Sequence, residues 1–414
     1  MTSQITVPKS SRLQIGVFGR RNVGKSSILN ALMRQSLAIV SDVAGTTTDP
    51  LEKALELQPL GAVLVVDAAG VDDDGGLGIE RVAKTRQAFD RADLFLTVVD
   101  TTLGDGAFGT YEESLIEEAR KRDTPTLVVL NKTDAADEAI LQNLEARLRA
   151  RNLATVRFSA KRDFEAKTGA PELRDALIKL APESFLTPPP IIADLLAPGE
   201  LALLVTPIDK EAPKGRLILP QVQTIRDLLD GDCGCVVVKE NLLATVLGRM
   251  NPPPALVVTD SQVFKTVATL VPETIPLTSF SILFARQKGD LKTLVAGARA
   301  IDKLKPTSRV LIAEACSHHP IEEDIGTVKI PRLLRKKFGE TLEIEHVQGR
   351  DFPDVDSMKD FDLAIHCGGC MFNRREMLSR IQRAEDAGTP MTNYGLAIAS
   401  LNGILERAVK PLGL

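Results

Sequence analysis

Two stretches of this 414-residue chain carry side chains whose types and spacing could do chemistry. The first is GRRNVGKSS at 19–27, a Gly-x4-Gly-Lys-Ser pattern. In it Gly19 and Gly24 let backbone N–H groups wrap phosphates, Lys25 offsets the β/γ charge, and Ser26, followed by Ser27, presents a hydroxyl to Mg2+. The second is HCGGC at 366–370. Cys367 and Cys370 have the spacing of half a metal site.

Further motifs follow the first in an order that phosphate and base recognition require. DAAG at 67–70 would place Asp67 to hold Mg2+ through water and Gly70 to bond the γ-phosphate through its N–H. AGTTTDP at 44–50 supplies a switch threonine for the same ion, taken here as Thr47. NKTD contributes Asn131, Lys132 and Asp134, the last able to accept from guanine N1 and N2 and so reject adenine. SAK, Ser159 to Lys161 with Ala160 between, would close over guanine O6. Together they predict a GTPase domain using GTP and Mg2+. Val71 follows DAAG, so no glutamine stands there to orient the attacking water.

The second site lacks its other half until RVLIAEACSHHP is considered, where Cys316 follows an apolar run, with His318 and His319 behind it. In an open α/β sheet the carboxyl ends of the strands line one crevice, so Cys316, Cys367 and Cys370 are expected to converge. A helix expected from about Met371 would turn its N–H groups toward the thiolates. CxxC spacing suits zinc, completed by His318, His319 or His366, or a [4Fe–4S] cube with one iron left open. His366, if on a strand, points away from Cys367. His318, a nearby Glu or water is the favoured fourth ligand. Cys233 and Cys235 in CGC read as structural thiols, RLLRKKF at 332–338 as a solvated basic helix face, and His346 as a strand residue without a role.

These residues need elements to hold them. LQIGVFG, AVLVVD, DLFLTVVD, PTLVVLN and ATVRFSA read as strands alternating with helical patterns, which predicts a parallel sheet over residues 10–182. LTPPPIIADLLAPG reads as a linker. A small apolar α/β segment, 190–251, has too little core to stand alone and is expected to share an interface with another chain. NPPP at 251–254 is taken as the next boundary. Strand-like runs then return over 255–414 and predict a second doubly wound α/β domain, the one carrying the thiols.

Bulk properties narrow the function. A net charge of −4, 4% aromatic residues and no Trp argue against nucleic acid as a partner. No apolar run is long enough for a membrane span and the N-terminus lacks a signal-peptide core, so a cytoplasmic protein without a membrane partner is expected. Five cysteines without an export signal suggest reduced thiols.

Residues 10–182 resemble the translation-factor-like GTPases that include tRNA-modification and ribosome-assembly enzymes. That resemblance implies K+ activation through Asn22, which matches the asparagine that ligates K+ beside the phosphates in potassium-activated relatives. Thr48 stands where those relatives often carry Arg. The C-x-H spacer H-C-x-x-C arrangement of Cys316, His318, His366, Cys367 and Cys370, joined to a GTPase domain, resembles the HydF family, the GTPases that mature [FeFe]-hydrogenase. The family implies a fold of N-terminal P-loop GTPase domain, small α/β dimerisation domain and C-terminal doubly wound iron–sulfur domain. It implies a [4Fe–4S] scaffold or carrier that receives the iron precursor of the hydrogenase active site, built with radical-enzyme maturases, and delivers it to the apo-hydrogenase. It also implies a homodimer, with a tetramer compatible. An RNA- or ribosome-linked GTPase with a structural zinc is the alternative reading.

Overall fold

The computed structural model describes residues 7–34, 51–67, 78–168, 170–207, 217–315, 324–349 and 351–414, in two units, Met1–Pro188 and Pro189–Leu414. The first is built on β1 (Leu13–Phe18), β2 (Leu51–Leu57), β3 (Gly61–Asp67), β4 (Leu94–Asp100), β5 (Thr126–Asn131) and β6 (Ala154–Arg157). They form one sheet in the order β2-β3-β1-β4-β5-β6, parallel except for the edge strand β2. Every residue of β1 and β4 is buried, as central strands covered on both faces must be. The helix Lys25–Arg34 follows β1 and buries Ile28, Leu29 and Leu32, one helical face, in the same core as Ile15, Val17 and Leu96. Because β1 lies between β3 and β4, the connections leave it to either side. The carboxyl ends of these strands therefore flank a crevice, the place where such sheets bind ligands.

The second unit holds two four-stranded parallel sheets. β7 (Leu201–Val205), β8 (Gly234–Val238), β9 (Leu256–Thr259) and β10 (Leu277–Ser279) are ordered β10-β9-β7-β8. β11 (Arg309–Glu314), β12 (Glu343–Gln348), β13 (Leu363–His366) and β14 (Met391–Asn393) are ordered β12-β11-β13-β14. The sequence-based division at 251–254 falls inside the first of these sheets. Leu256 to Thr259 pair in register with Ala202 to Val205, so the proline run is a loop into a central strand and not a linker. Helices Phe280–Lys288 and Leu291–Ala300 connect the sheets, and Ile282, Ala285, Leu294 and Ala298 share one core with Leu203 of β7 and Leu311 of β11.

Candidate functional site

In the first unit the motif residues gather at the carboxyl edge of the sheet. A cleft of ≈ 590 Å³ is lined by Asn22, Gly24, Ser27, Lys132, Asp134 and Lys161, among others. Gly24 needs its glycine, since φ is +100° and a Cβ would stand 2.2 Å from Asn131 Nδ2. That contact matters because Asn131, 1% exposed, ties two motifs together. Its Nδ2 donates to Val23 O at 2.8 Å, and its Oδ1 accepts from Ala160 N at 3.4 Å. Lys25 Nζ donates to the carbonyls of Gly19 and Arg20, at 2.7 and 2.8 Å, which holds the ammonium in the loop.

Ser159 Oγ donates to Asp134 Oδ1 at 2.6 Å and accepts from Arg162 N at 3.1 Å, so one hydroxyl orients the carboxylate and caps the helix Ala160–Ala166. The Ser159 hydrogen bond holds the Asp134 carboxyl below the usual carboxylate range, keeping it an acceptor. Lys132 is paired with Asp100. Asp67 ends β3, and its Oδ1 is buried with no hydrogen-bond partner among the described residues. Burial raises its carboxyl, against the pull of Lys25 and Lys53. A buried acceptor without a donor, within the electrostatic reach of Lys25, fits a hydrated Mg2+. Thr47, Thr48, Gly70 and Val71 lie outside the described residues.

In the second unit HCGGC follows β13. His366, 0% exposed, is its last residue, and Cys367 N donates to Ala313 O at 2.8 Å. Cys367 Sγ accepts from Ala315 N at 3.0 Å and from Gly369 N at 3.5 Å. Ala315 immediately precedes Cys316, so the chain entering Cys316 runs beside the Cys367 sulfur. Cys316, His318 and His319 themselves lie outside the described residues, among which no group of three or more His, Cys, Asp or Glu side chains is placed to hold a metal ion. Gly369 has φ +60°, and a Cβ there would meet Met377 Cε at 2.5 Å. The following helix begins at Arg374, not near Met371. Asn373 caps it, its side chain accepting from Glu376 N, so three residues of loop separate Cys370 from the helix.

The dominant charge at this loop is a lysine. Lys288, 7% exposed at the end of its helix, donates to the carbonyls of Gly369 (3.1 Å), Cys370 (3.2 Å) and Phe372 (2.9 Å). Burial lowers its pKa to about 8, although Cys370 and Cys367 pull the other way. Arg374 answers it by donating to the carbonyls of Gln287 and Gly289.

His366 is committed elsewhere than to a metal. Arg380 Nη1 lies 2.8 Å from Nε2, and a guanidinium only donates, so Nε2 accepts and Nδ1 carries the proton, donating to Cys367 O at 2.7 Å. Burial, with Arg380 adding to it, lowers the imidazole pKa to about 3. Arg380, 3% exposed, sits over the rings of Phe352 and Phe372, at 4.8 and 4.3 Å. Cys233 is buried with Sγ 3.4 Å from two carbonyls, and Cys235 lies in β8, remote in sequence from any histidine.

Lys288 and Arg380 were not singled out from sequence. Arg380 had a signal: it falls among Met377, Ile381 and Ala384, on the buried face of its helix, where a charge needs a partner. Lys288 had a weaker one, four residues after the buried Phe284.

Comparison with known proteins gives three family matches. Residues 292–411 match the Hydrogen maturase F tetramerization domain, 191–289 the Hydrogen maturase F dimerization domain, and 14–132 the 50S ribosome-binding GTPase family. Two curated relatives each align over about a third of the chain. GTPase Der of Wolinella succinogenes is 41% identical over 127 residues, 30% of this chain and 26% of that protein. The tRNA modification GTPase MnmE of Trichormus variabilis is 37% identical over 137 residues, 32% and 28% of the two chains. The chain thus spans little more than a quarter of the length of these relatives. Among solved structures, Era of Aquifex aeolicus bound to GDP.AlF4- aligns at TM-score 0.33 and 19% identity, covering 55% of this chain and 92% of that one. The G domain of the T. maritima FeoB iron transporter aligns at TM-score 0.31 and 20% identity, covering 41% and 99%.

Proposed function

Since the chain belongs to the Hydrogen maturase F family, we propose that it is a GTP-hydrolysing iron–sulfur scaffold serving [FeFe]-hydrogenase maturation. GTP and Mg2+ occupy the first-unit cleft. Gly19 to Ser27 wrap the phosphates, Lys25 offsets their charge, Ser26 and Thr47 ligate Mg2+, and Asp67 holds it through water. Gly70 bonds the γ-phosphate. Asp134, oriented by Ser159, reads guanine N1 and N2, while Ala160 and Lys161 close over O6. Asn22 lines the cleft and takes K+ beside the β/γ-phosphates.

In the second unit Cys316, Cys367 and Cys370 would hold a [4Fe–4S] cluster, and a three-thiolate ligand set would supply chemistry suited to ligand exchange with an iron precursor. The observation that carries this assignment is the Ala315 N–H to Cys367 Sγ bond, which brings the residue before Cys316 to the CGGC loop. N–H donors to sulfur and the Lys288 ammonium beneath the loop fit an anionic thiolate-bound group. With His366 bound to Arg380, His318, a nearby Glu or water supplies the fourth position. Radical-enzyme maturases supply the precursor and the apo-hydrogenase takes it, in the cytoplasm. Among the described residues no helix is long and apolar enough to cross a membrane. Homodimerisation is supported by the exposed Leu217, Val222, Leu229, Val237 and Leu242, all within the segment matching the dimerization domain.

The test is iron and sulfide content after anaerobic reconstitution, with EPR of the reduced form, beside Cys370→Ala and Lys25→Ala. About four iron and four sulfide per chain, lost in the first variant and kept in the second, together with GTP hydrolysis lost only in the second, support the assignment. Stoichiometric zinc without sulfide would replace it with a structural zinc site.

A further inference from the structure

Phe164 stands on the helix Ala160–Ala166 and lines the nucleotide cleft beside Lys132, Asp134 and Lys161. It is 63% exposed, the one aromatic among the large apolar side chains exposed in the described residues. A buried aromatic side chain ordinarily removes roughly 150–250 Å² from solvent, whereas much of the Phe164 surface stays accessible at the cleft. A single exposed apolar side chain is ordinary, but this one lines the ligand cleft, where its ring face is available to what the cleft binds.

The helix that carries it is firmly held. Ser159 caps its start. Asp163, 6% exposed, pins its inner face, with Oδ1 accepting from Ala170 N and from Thr168 Oγ1, each at 2.6 Å. Phe164 is the next residue, four after Ala160, so it shares a helical face with the residue whose N–H reaches Asn131. The ring is thus presented one turn beyond the motif that closes on guanine O6. Residues 35–50, which follow the first helix, include no aromatic side chain that could serve instead.

We infer that Phe164 is the stacking platform for the purine base. Its ring lies against the face of the bound guanine while Asp134 reads the edge, so it sets how tightly the nucleoside is held and does not touch the phosphates. The inference rests on the guanine-nucleotide reading of the cleft. Stacking on an aromatic side chain is indifferent to which purine is present. The platform therefore adds affinity, and selectivity stays with Asp134.

The chain contains no Trp, so Phe164→Trp installs a single fluorescent reporter at the site. Saturating Mg–GDP should quench its emission, and Mg–pyrophosphate, which lacks a base, should leave it unchanged. Phe164→Ala should raise the Kd for GDP about ten-fold or more, with pyrophosphate binding unaltered and Phe164→Tyr within about two-fold of the parent. Equal quenching by both probes, an unchanged GDP affinity in Phe164→Ala, or a parallel loss of GDP and pyrophosphate binding would each overturn the inference. A parent protein that binds pyrophosphate but not GDP would overturn the guanine reading as well, and is told apart by needing no variant.

Discussion

Replacing Lys288 by methionine keeps the length and apolar stem of the side chain and removes its ammonium. Three carbonyl oxygens, of Gly369, Cys370 and Phe372, then lose their shared donor in a setting where the lysine was 7% exposed. A hydrogen bond to a charged group contributes about 1.5–3 kcal/mol when removed. The three share one ammonium and are not additive, so the expected loss is about 3 kcal/mol and not the sum. For a domain the size of the second unit that corresponds to a fall in melting temperature of about 6–12 °C. The assay is calorimetry of the metal-free protein, followed by iron loading of the same variant under anaerobic reconstitution. Lys288→Arg is the control, since a planar fork cannot reach three converging carbonyls as an ammonium does, and it should lose a part of both quantities. A methionine variant that melts within about 1 °C of the parent and loads iron equally would refute the reasoning.

His366 gives a pH test. Its folded-state pKa, near 3, lies below the ordinary 6.5, so the unfolded chain binds the extra proton between those values. Its contribution is therefore full above pH 6.5 and is lost as pH falls toward 3. Between pH 7 and pH 5 the loss should be about 2 kcal/mol, read as a shift in urea midpoint that His366→Gln does not show. Asp134→Asn replaces an acceptor of two N–H bonds by an amide. GTP affinity should drop about a hundred-fold, while xanthosine triphosphate, with a carbonyl where guanine has its amine, should gain relative to GTP in a competition assay. GTP turnover should be faster in K+ than in Na+ at equal ionic strength, and Asn22→Ala should remove the difference; equal rates in the parent would sink the K+ assignment.

The nucleotide cleft was legible because its chemistry is local. The GRRNVGKSS, NKTD and SAK motifs each occupy a few consecutive residues at or just past a strand end, and β1, β3, β4 and β5 are apolar runs whose burial on both faces leaves one reading. β2 was missed. LEKALEL is composed of good helix formers, and it becomes a strand only because β3 offers an antiparallel edge, a partner the local sequence does not reveal. The NPPP division failed for a related reason: proline marks a loop, but only the ladder between β7 and β9 tells whether that loop separates domains or joins strands. Around the thiols the cysteine spacing was plain, whereas Lys288 reaches the loop from a residue more than eighty positions away. Long-range polar contacts of single charged residues leave little trace in periodicity.

The two family segments of the second unit meet between residues 289 and 292. Lys288, before that seam, grips the CGGC loop beyond it, and Arg374, beyond it, grips the carbonyls of Gln287 and Gly289 before it. The handclasp makes the seam a poor place for recombination. A lineage that exchanged only the downstream segment would inherit the thiols without the cation that shapes their loop, and would leave an arginine reaching for carbonyls that belong to another chain's history. The two segments are in effect one structural unit, divided by similarity but not by chemistry.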